Sequence, residues 1–181
     1  VDATHSTTTV SGGEMVKKLA AFAAKAFKRK VGADPLESKK SATRLTNVCE
    51  GTLRILSNAP RADIEIESLY EGCDLRLQVS RARFEDLCLD VWKSVGPALD
   101  ELLAKASTDG LVLPAEAGGK LRRSDVSRVL LAGGAVRVPK IAASIKALLP
   151  DAKILASVPP DEAGALGAAT QAARLVLAED G

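Results

Sequence analysis

The stretch Val126–Lys140, reading V-S-R-V-L-L-A-G-G-A-V-R-V-P-K, decides how the rest of the chain is read. Its apolar run, Val129 to Ala132, leads straight into Gly133-Gly134. Arg137 follows, and Val138-Pro139 opens an amphipathic segment. A short continuous apolar run predicts a strand buried on both faces, as in a parallel sheet. Two glycines at its end let the backbone turn sharply and approach a ligand, because no Cβ stands in the way. Pro139 suits the first turn of a helix, where its missing N–H is no loss. Strand, glycine turn and helix start together place unpaired amides where an anion such as a phosphate can be held. A tight strand-to-helix turn that binds nothing fits the same residues, and this stretch alone leaves both readings open.

Around it, 181 residues and 18.8 kDa allow one domain or two small lobes. With 46% hydrophobic residues and 3% aromatic ones, the core must rest on Ala, Leu, Val and Ile. A net charge of +2, with acids and bases interspersed, gives no electrostatic footprint for nucleic acid, and aromatic–basic interleaving is absent. Cys49, Cys73 and Cys88 are odd in number and widely spaced. They form neither a disulfide framework nor a zinc pattern, which points to a reducing, cytoplasmic setting. No run approaches the roughly 20 apolar residues of a membrane span. The chain starts at Val1, not Met, and is read as a piece of something longer.

From the N-terminus, the Thr/Ser-rich Val1–Ser11 predicts an edge strand or a frayed lead-in. It holds His5, the only histidine, through which any Ser-His or Cys-His scheme would have to run; its place near a ragged end argues against catalysis. Gly12-Gly13-Glu14 open a helix with Met15, Leu19, Phe22, Ala23, Ala26 and Phe27 on one face, ended by Lys28-Arg29-Lys30 and Gly32. A second helix fits Pro35 to Ser57. Leu45, Val48, Cys49, Thr52 and Leu56 fall on one side of it, and Glu50, Arg54 and Ser57 on the other. That polar face is either an exposed i,i+4 ion pair or one wall of a groove, lined by a carboxylate, a guanidinium and a hydroxyl. Ala62–Leu69 and Leu75–Val79 alternate about Glu71-Gly72, an antiparallel hairpin with one wet face.

Ser80 caps a long helix with Phe84, Leu87, Cys88, Val91, Trp92 and Val95 on one face, which Gly96-Pro97 is expected to kink or break. Ser107 to Arg123 loses periodicity and reads as a surface loop. Ala152–Ala156 gives another short strand, and Pro159-Pro160-Asp161-Glu162 start a last helix. Gly164, Gly167, Ala168 and Ala169 leave that helix thin enough to pack close to a neighbour. The expected architecture is α/β, with a smaller α+β subdomain of two helices and a hairpin over 1–84, an α/β subdomain over 85–181, and a loop insertion at about 107–124. A ligand is expected where the Gly133-Gly134 strand end faces the other subdomain.

With these pieces placed, the chain resembles the heat-shock seventy-kilodalton chaperones, the DnaK family, in the second lobe of their ATPase domain. The resemblance rests on E-S-L-Y-E-G-C-D-L (67–75), S-R-A-R-F-E-D-L (80–87), L-L-A-G-G-A-V-R-V-P-K-I (130–141) and P-P-D-E-A-G-A-L-G-A-A-T-Q-A-A (159–173), with C-E-G-T-L-R-I-L-S (49–57). It runs from about Gly12 to Leu177 and implies the actin-like, ribonuclease-H-like clamp with ATP or ADP between two lobes. It further implies that Glu50, Arg54 and Ser57 contact adenosine, carboxylate to ribose, guanidinium stacked on adenine, hydroxyl to the base. Gly133, Gly134, Ala135 and Arg137 match the second phosphate and adenosine loop, and Asp161 a position near the ribose. Gly12-Gly13 resemble the family's Gly-Gly by the nucleotide, one residue out of register.

The departures are Leu53 where the family helix carries a ribose-contacting lysine, Ala135 for the serine after the glycines, and an insertion around Leu111–Lys120. They resemble an atypical, ribosome-associated branch, which makes an interaction module with weak or vestigial ATPase activity the alternative. A sugar or acetate kinase on the same clamp is a poorer match to S-L-Y-E-G and R-A-R-F-E. The first lobe's phosphate loop, catalytic lysine and metal-side carboxylates have no match here. The resemblance therefore assigns no catalytic residue and no metal ligand to this stretch, and leaves Mg²⁺ mainly to the first lobe. The partners it implies are co-chaperones, a nucleotide exchange factor and unfolded clients held by a separate domain; nucleic acid and membrane are not among them.

Overall fold

The computed structural model describes residues 3–108, 121–155 and 157–179; the expected insertion at Leu111–Lys120 lies outside the described residues. The chain groups into two compact units, His5–Glu101 and Val1–Thr4 with Leu102–Gly181. The division falls further along than the 84/85 boundary expected from the sequence, because Phe84, Cys88, Val91 and Trp92 are buried in the first unit.

The first unit begins at His5; residues 3–7 have no regular structure and 8–11 form bends, with no strand. Ser11 then caps α1 (Gly12–Val31), its Oγ accepting the Glu14 N–H at 3.2 Å, and Gly32 closes the helix in the left-handed region at φ 86°. Pro35–Glu37 forms a 3₁₀ turn, so the second helix starts later than its sequence pattern implied: Ser38 caps α2 (Lys39–Asn58). A hairpin follows, β1 (Arg61–Tyr70) with β2 (Cys73–Ser80), paired antiparallel with Ile64 opposite Leu77 and Ile66 opposite Leu75. Glu71 (φ 51°) and Gly72 (φ 75°) carry its two-residue turn, whose twist requires positive φ at both positions. A bulge sits between Ile66 and Tyr70, with Ser68 at φ 43°. Alternation puts Ala62, Ile64, Ile66, Leu75 and Val79 on the inner face, packed with Leu45, Cys49 and Leu56 of α2 and Met15, Leu19 and Phe27 of α1 in one buried set.

Ser80 caps the short α3 (Arg81–Leu87), accepting the Arg83 N–H at 3.1 Å, and α4 (Leu89–Thr108) continues from it. Of the kink or break expected at Gly96-Pro97, no break occurs; α4 carries Pro97 internally, and the interruption falls at Cys88. There the Phe84 and Trp92 rings meet edge to face at 6.1 Å, and Trp92 Nε1 donates to the Glu85 carbonyl at 2.8 Å. Packing of this corner fixes the turn, whereas Pro97 costs α4 one backbone bond without stopping it.

The second unit contains β3 (Arg128–Leu130) and β4 (Lys153–Leu155), a parallel pair in register Val129–Ile154, joined through α5 (Pro139–Leu148). Strand, helix and parallel strand follow the predicted order, with Pro139 at the first turn of α5. The expectation that this strand is buried on both faces is not met: Arg128 and Leu130 are exposed, Leu130 at 63%. Among the described residues the sheet has only these two strands, too few to cover both faces. The last helix, α6 (Ala163–Glu179), is exposed from Gly164 to Val176, and a Cβ added at Gly164 or Gly167 would meet nothing within 4 Å. Its expected close packing against a neighbour is therefore not found among the described residues.

Candidate functional site

The expected site residues fall into two clusters, one in each compact unit. In the first, amphipathic α2 buries Leu45, Cys49, Thr52, Leu53 and Leu56 and turns Glu50 and Arg54 outward. Arg54 donates to Glu50 Oε1 at 2.5 Å, with side chains 77% and 53% exposed. At that exposure the pair contributes a few tenths of a kcal/mol, so a ligand can take over either partner at small cost. Ser57 is half-buried and its Oγ donates to the Leu53 carbonyl at 3.0 Å. The hydroxyl oxygen keeps acceptor capacity, but its donor is engaged with the backbone.

Leu53 is 8% exposed, part of the apolar face. Its side chain is a packing residue here, at the edge of the buried stripe, three residues after Glu50 and four before Ser57. The buried stripe of α2 is wider than the row Leu45, Cys49, Thr52 and Leu56 and takes in Leu53 as well.

In the second cluster, Gly133 ends the strand region at φ 93°, ψ 157°, a conformation that demands glycine. Gly134–Arg137 forms a 3₁₀ turn between strand and α5, so the helix does not start directly after the glycines. The Gly133 N–H donates to the Pro160 carbonyl at 2.6 Å and is not available to an anion. The first amide bonded within the turn is that of Val136, to Gly133 O at 3.4 Å. A Cβ at Gly134 would meet nothing within 4 Å among the described residues, so the backbone there is open to an approaching group. Arg137 donates to Asp161 Oδ1 at 2.6 Å. That hydrogen bond holds the Asp161 carboxyl below its ordinary range and raises the Arg137 guanidinium. The structure thus brings Gly133, Arg137, Pro160 and Asp161 together, a pairing with no local sequence signal because its halves lie far apart in the chain.

Other chemistry-bearing residues are accounted for separately. His5 Nδ1 lies 3.5 Å from Glu101 Oε2, in a cavity of about 550 Å³ that Lys93 and Ser94 also line; none of the expected site residues borders it. Burial pushes the Cys49 and Cys88 thiols up to about 12, as befits inert core residues. Among the described residues no cluster of His, Cys, Asp or Glu is arranged to hold a metal ion, and no helix is long and apolar enough to cross a membrane.

Comparison with known proteins shows the family. The family model described as "Hsp70 protein" matches residues 1–180. The chain belongs to the Hsp70 family. It is similar to the heat shock 70 kDa protein of Trichophyton rubrum, 35% identical over 97% of this chain and 25% of the relative. Heat shock cognate 70 kDa protein 3 of Dictyostelium discoideum is 33% identical over 96% of this chain and 25% of its own length. Heat shock 70 kDa protein 14 of Danio rerio is 34% identical over 92% of this chain and 31% of its own. This Hsp70 chain therefore spans about a quarter to a third of the curated relatives it matches.

Proposed function

We propose that this Hsp70 chain is the second lobe of an actin-like ATPase clamp, the adenosine- and phosphate-contacting part of an ATP-dependent chaperone that assists protein folding in the cytoplasm. The observation that carries the reading is the exposed Glu50–Arg54 pair, preformed on a helix whose opposite face is core, in a chain matched to Hsp70 along residues 1–180. Each cluster by itself carries groups that fit part of a nucleotide. The planar guanidinium offers its face to adenine while its edge stays on Glu50. Glu50 retains acceptor capacity for ribose hydroxyls and Ser57 for the base. The open backbone at Gly134 and Ala135 admits phosphate oxygens, and the Arg137–Asp161 pair supplies a fixed guanidinium and a ribose-side carboxylate.

These groups bind and orient; none is placed to take a proton from water. Hydrolysis in the full-length protein then draws its Mg²⁺ ligands and catalytic groups from outside this chain. Co-chaperones, an exchange factor and unfolded clients are the partners that follow. The departure at Leu53 gives no support to a vestigial site, because that side chain is engaged in the core.

Calorimetric titration of the full-length protein with ADP tests the assignment. Arg54→Ala is expected to lower affinity about tenfold through loss of stacking. Gly134→Ala, which clashes with nothing among the described residues, is expected to weaken ADP while leaving the melting temperature unchanged. Unaltered ADP binding in both variants would falsify the reading.

A further inference from the structure

The C-terminal end of α2 carries Arg54 and Ser57, and a helix end keeps its shape only if its last carbonyls find donors. Ile55 O accepts the Ala59 N–H at 2.7 Å. Leu56 O is filled from outside the helix: Arg81 Nε, at the start of α3, donates to it at 2.7 Å. The Arg81 N–H is itself tied to Pro60 O at 2.8 Å, so the guanidinium is delivered by a fixed backbone. Arg81 is half-buried, and its positive charge also opposes the negative end of the helix. Leu56 lies between Ile55 and Ser57, so the contact grips the turn that presents the wall.

We infer that Arg81 is a positioning residue for the adenosine wall, holding the last turn of α2 so that Arg54 and Ser57 keep one geometry. The inference rests on the nucleotide reading above and adds to it a residue that touches no ligand. Without Arg81, the Leu56 carbonyl turns to water and the final turn frays, moving Ser57 most and Arg54 next.

The same helix supplies its own control. Arg44 also spends its guanidinium on backbone, donating to Ser68 O and Glu67 O at 2.8 Å each, where it secures the hairpin bulge. It makes more hydrogen bonds than Arg81 shows to α2, yet sits about 15 Å along the helix from Arg54 at 1.5 Å per residue. A general loss of stability would follow either substitution; loss of wall geometry should follow only one.

The experiment measures adenosine and pyrophosphate binding separately in the full-length protein. Arg81→Ala should weaken adenosine about fivefold, the size of one lost hydrogen bond's effect on geometry, and leave pyrophosphate unchanged. Arg81→Lys, which still reaches one carbonyl, should recover most of the loss. Arg44→Ala should alter neither ligand. Amide exchange at Ser57–Ala59, read without ligand, should quicken in Arg81→Ala alone. If Arg81→Ala does not fold, Arg81→Gln is measured in its place. Wild-type adenosine affinity in the Arg81 variant, or an equal loss in Arg44→Ala, overturns the inference. An Arg54→Ala variant that binds adenosine normally overturns the nucleotide reading itself, and this inference with it.

Discussion

His5–Glu101 and Leu102–Gly181 use similar apolar residues to different ends. In the first unit a hairpin lays its inner face on α1 and α2, and Phe27, Leu45, Leu56, Ile64 and Val79 are each at most 1% exposed. In the second, a two-stranded parallel sheet leaves Leu130 in solvent, and α6 leaves out Leu166, Leu175 and Val176. An antiparallel hairpin needs one covered face, which two helices supply; a parallel sheet buries both and needs layers on each side. The comparison teaches that the unit with the Gly133-Gly134 corner is the one whose sheet and last helix leave apolar faces uncovered among the described residues.

The sharpest way to break that contrast is through core truncation. Phe27→Ala is expected to cost about 3–5 kcal/mol, whereas Leu130→Ala should stay within about 0.5 kcal/mol. Urea unfolding of this chain measures both, and equal costs would mean that the second unit is as closed as the first. A smaller effect sharpens the boundary between core and wall on α2. Leu53→Lys places an ammonium on the buried face and should destabilise by about 1–3 kcal/mol, without raising ADP affinity. A gain in affinity at unchanged stability would show Leu53 belonging to the wall.

The smallest effect is acid-dependent. The Leu36 amide and then Lys28 hold the Asp34 carboxyl below its ordinary 3.8, and Lys18 does the same for Asp90, with which it shares a 2.6 Å contact. In the second unit Arg137 does so for Asp161. A carboxyl depressed in the folded state stabilises the fold above its unfolded value, and that contribution fades as pH falls through its lower folded value. Stability should therefore drop below about pH 4, and Asp34→Asn with Asp90→Asn should flatten this acid limb more than Asp161→Asn. Thermal melts from pH 6 to 2 would read the difference, and an unchanged acid limb in all variants would remove these pairs from the account.

Much of the fold was legible because local chemistry dictated it. Ser80 caps the helix it precedes, Glu71-Gly72 turns the hairpin, and Pro139 opens α5. The misreadings are of boundaries. The interruption expected at Gly96-Pro97 falls at Cys88, beside the Phe84–Trp92 contact, and the second helix starts at Lys39 after a 3₁₀ turn where Pro35 was expected to open it. In the candidate site, Glu50 with Arg54 was readable as an i,i+4 pair. Arg137 with Asp161, Gly133 with Pro160, and Arg81 with Leu56 were not, since each joins positions with no fixed spacing between them.

By itself, then, the order of residues determined most of the elements, the Ser80 cap and the hairpin turn, the parallel and antiparallel character of the strands, and membership of the Hsp70 family. These depend on backbone preferences and periodicities that act within a few residues. Only the tertiary structure decided which apolar faces are covered, which carbonyls receive a distant guanidinium, and which polar groups already have partners. Those outcomes depend on what other segments bring within hydrogen-bonding distance, and no local pattern encodes that.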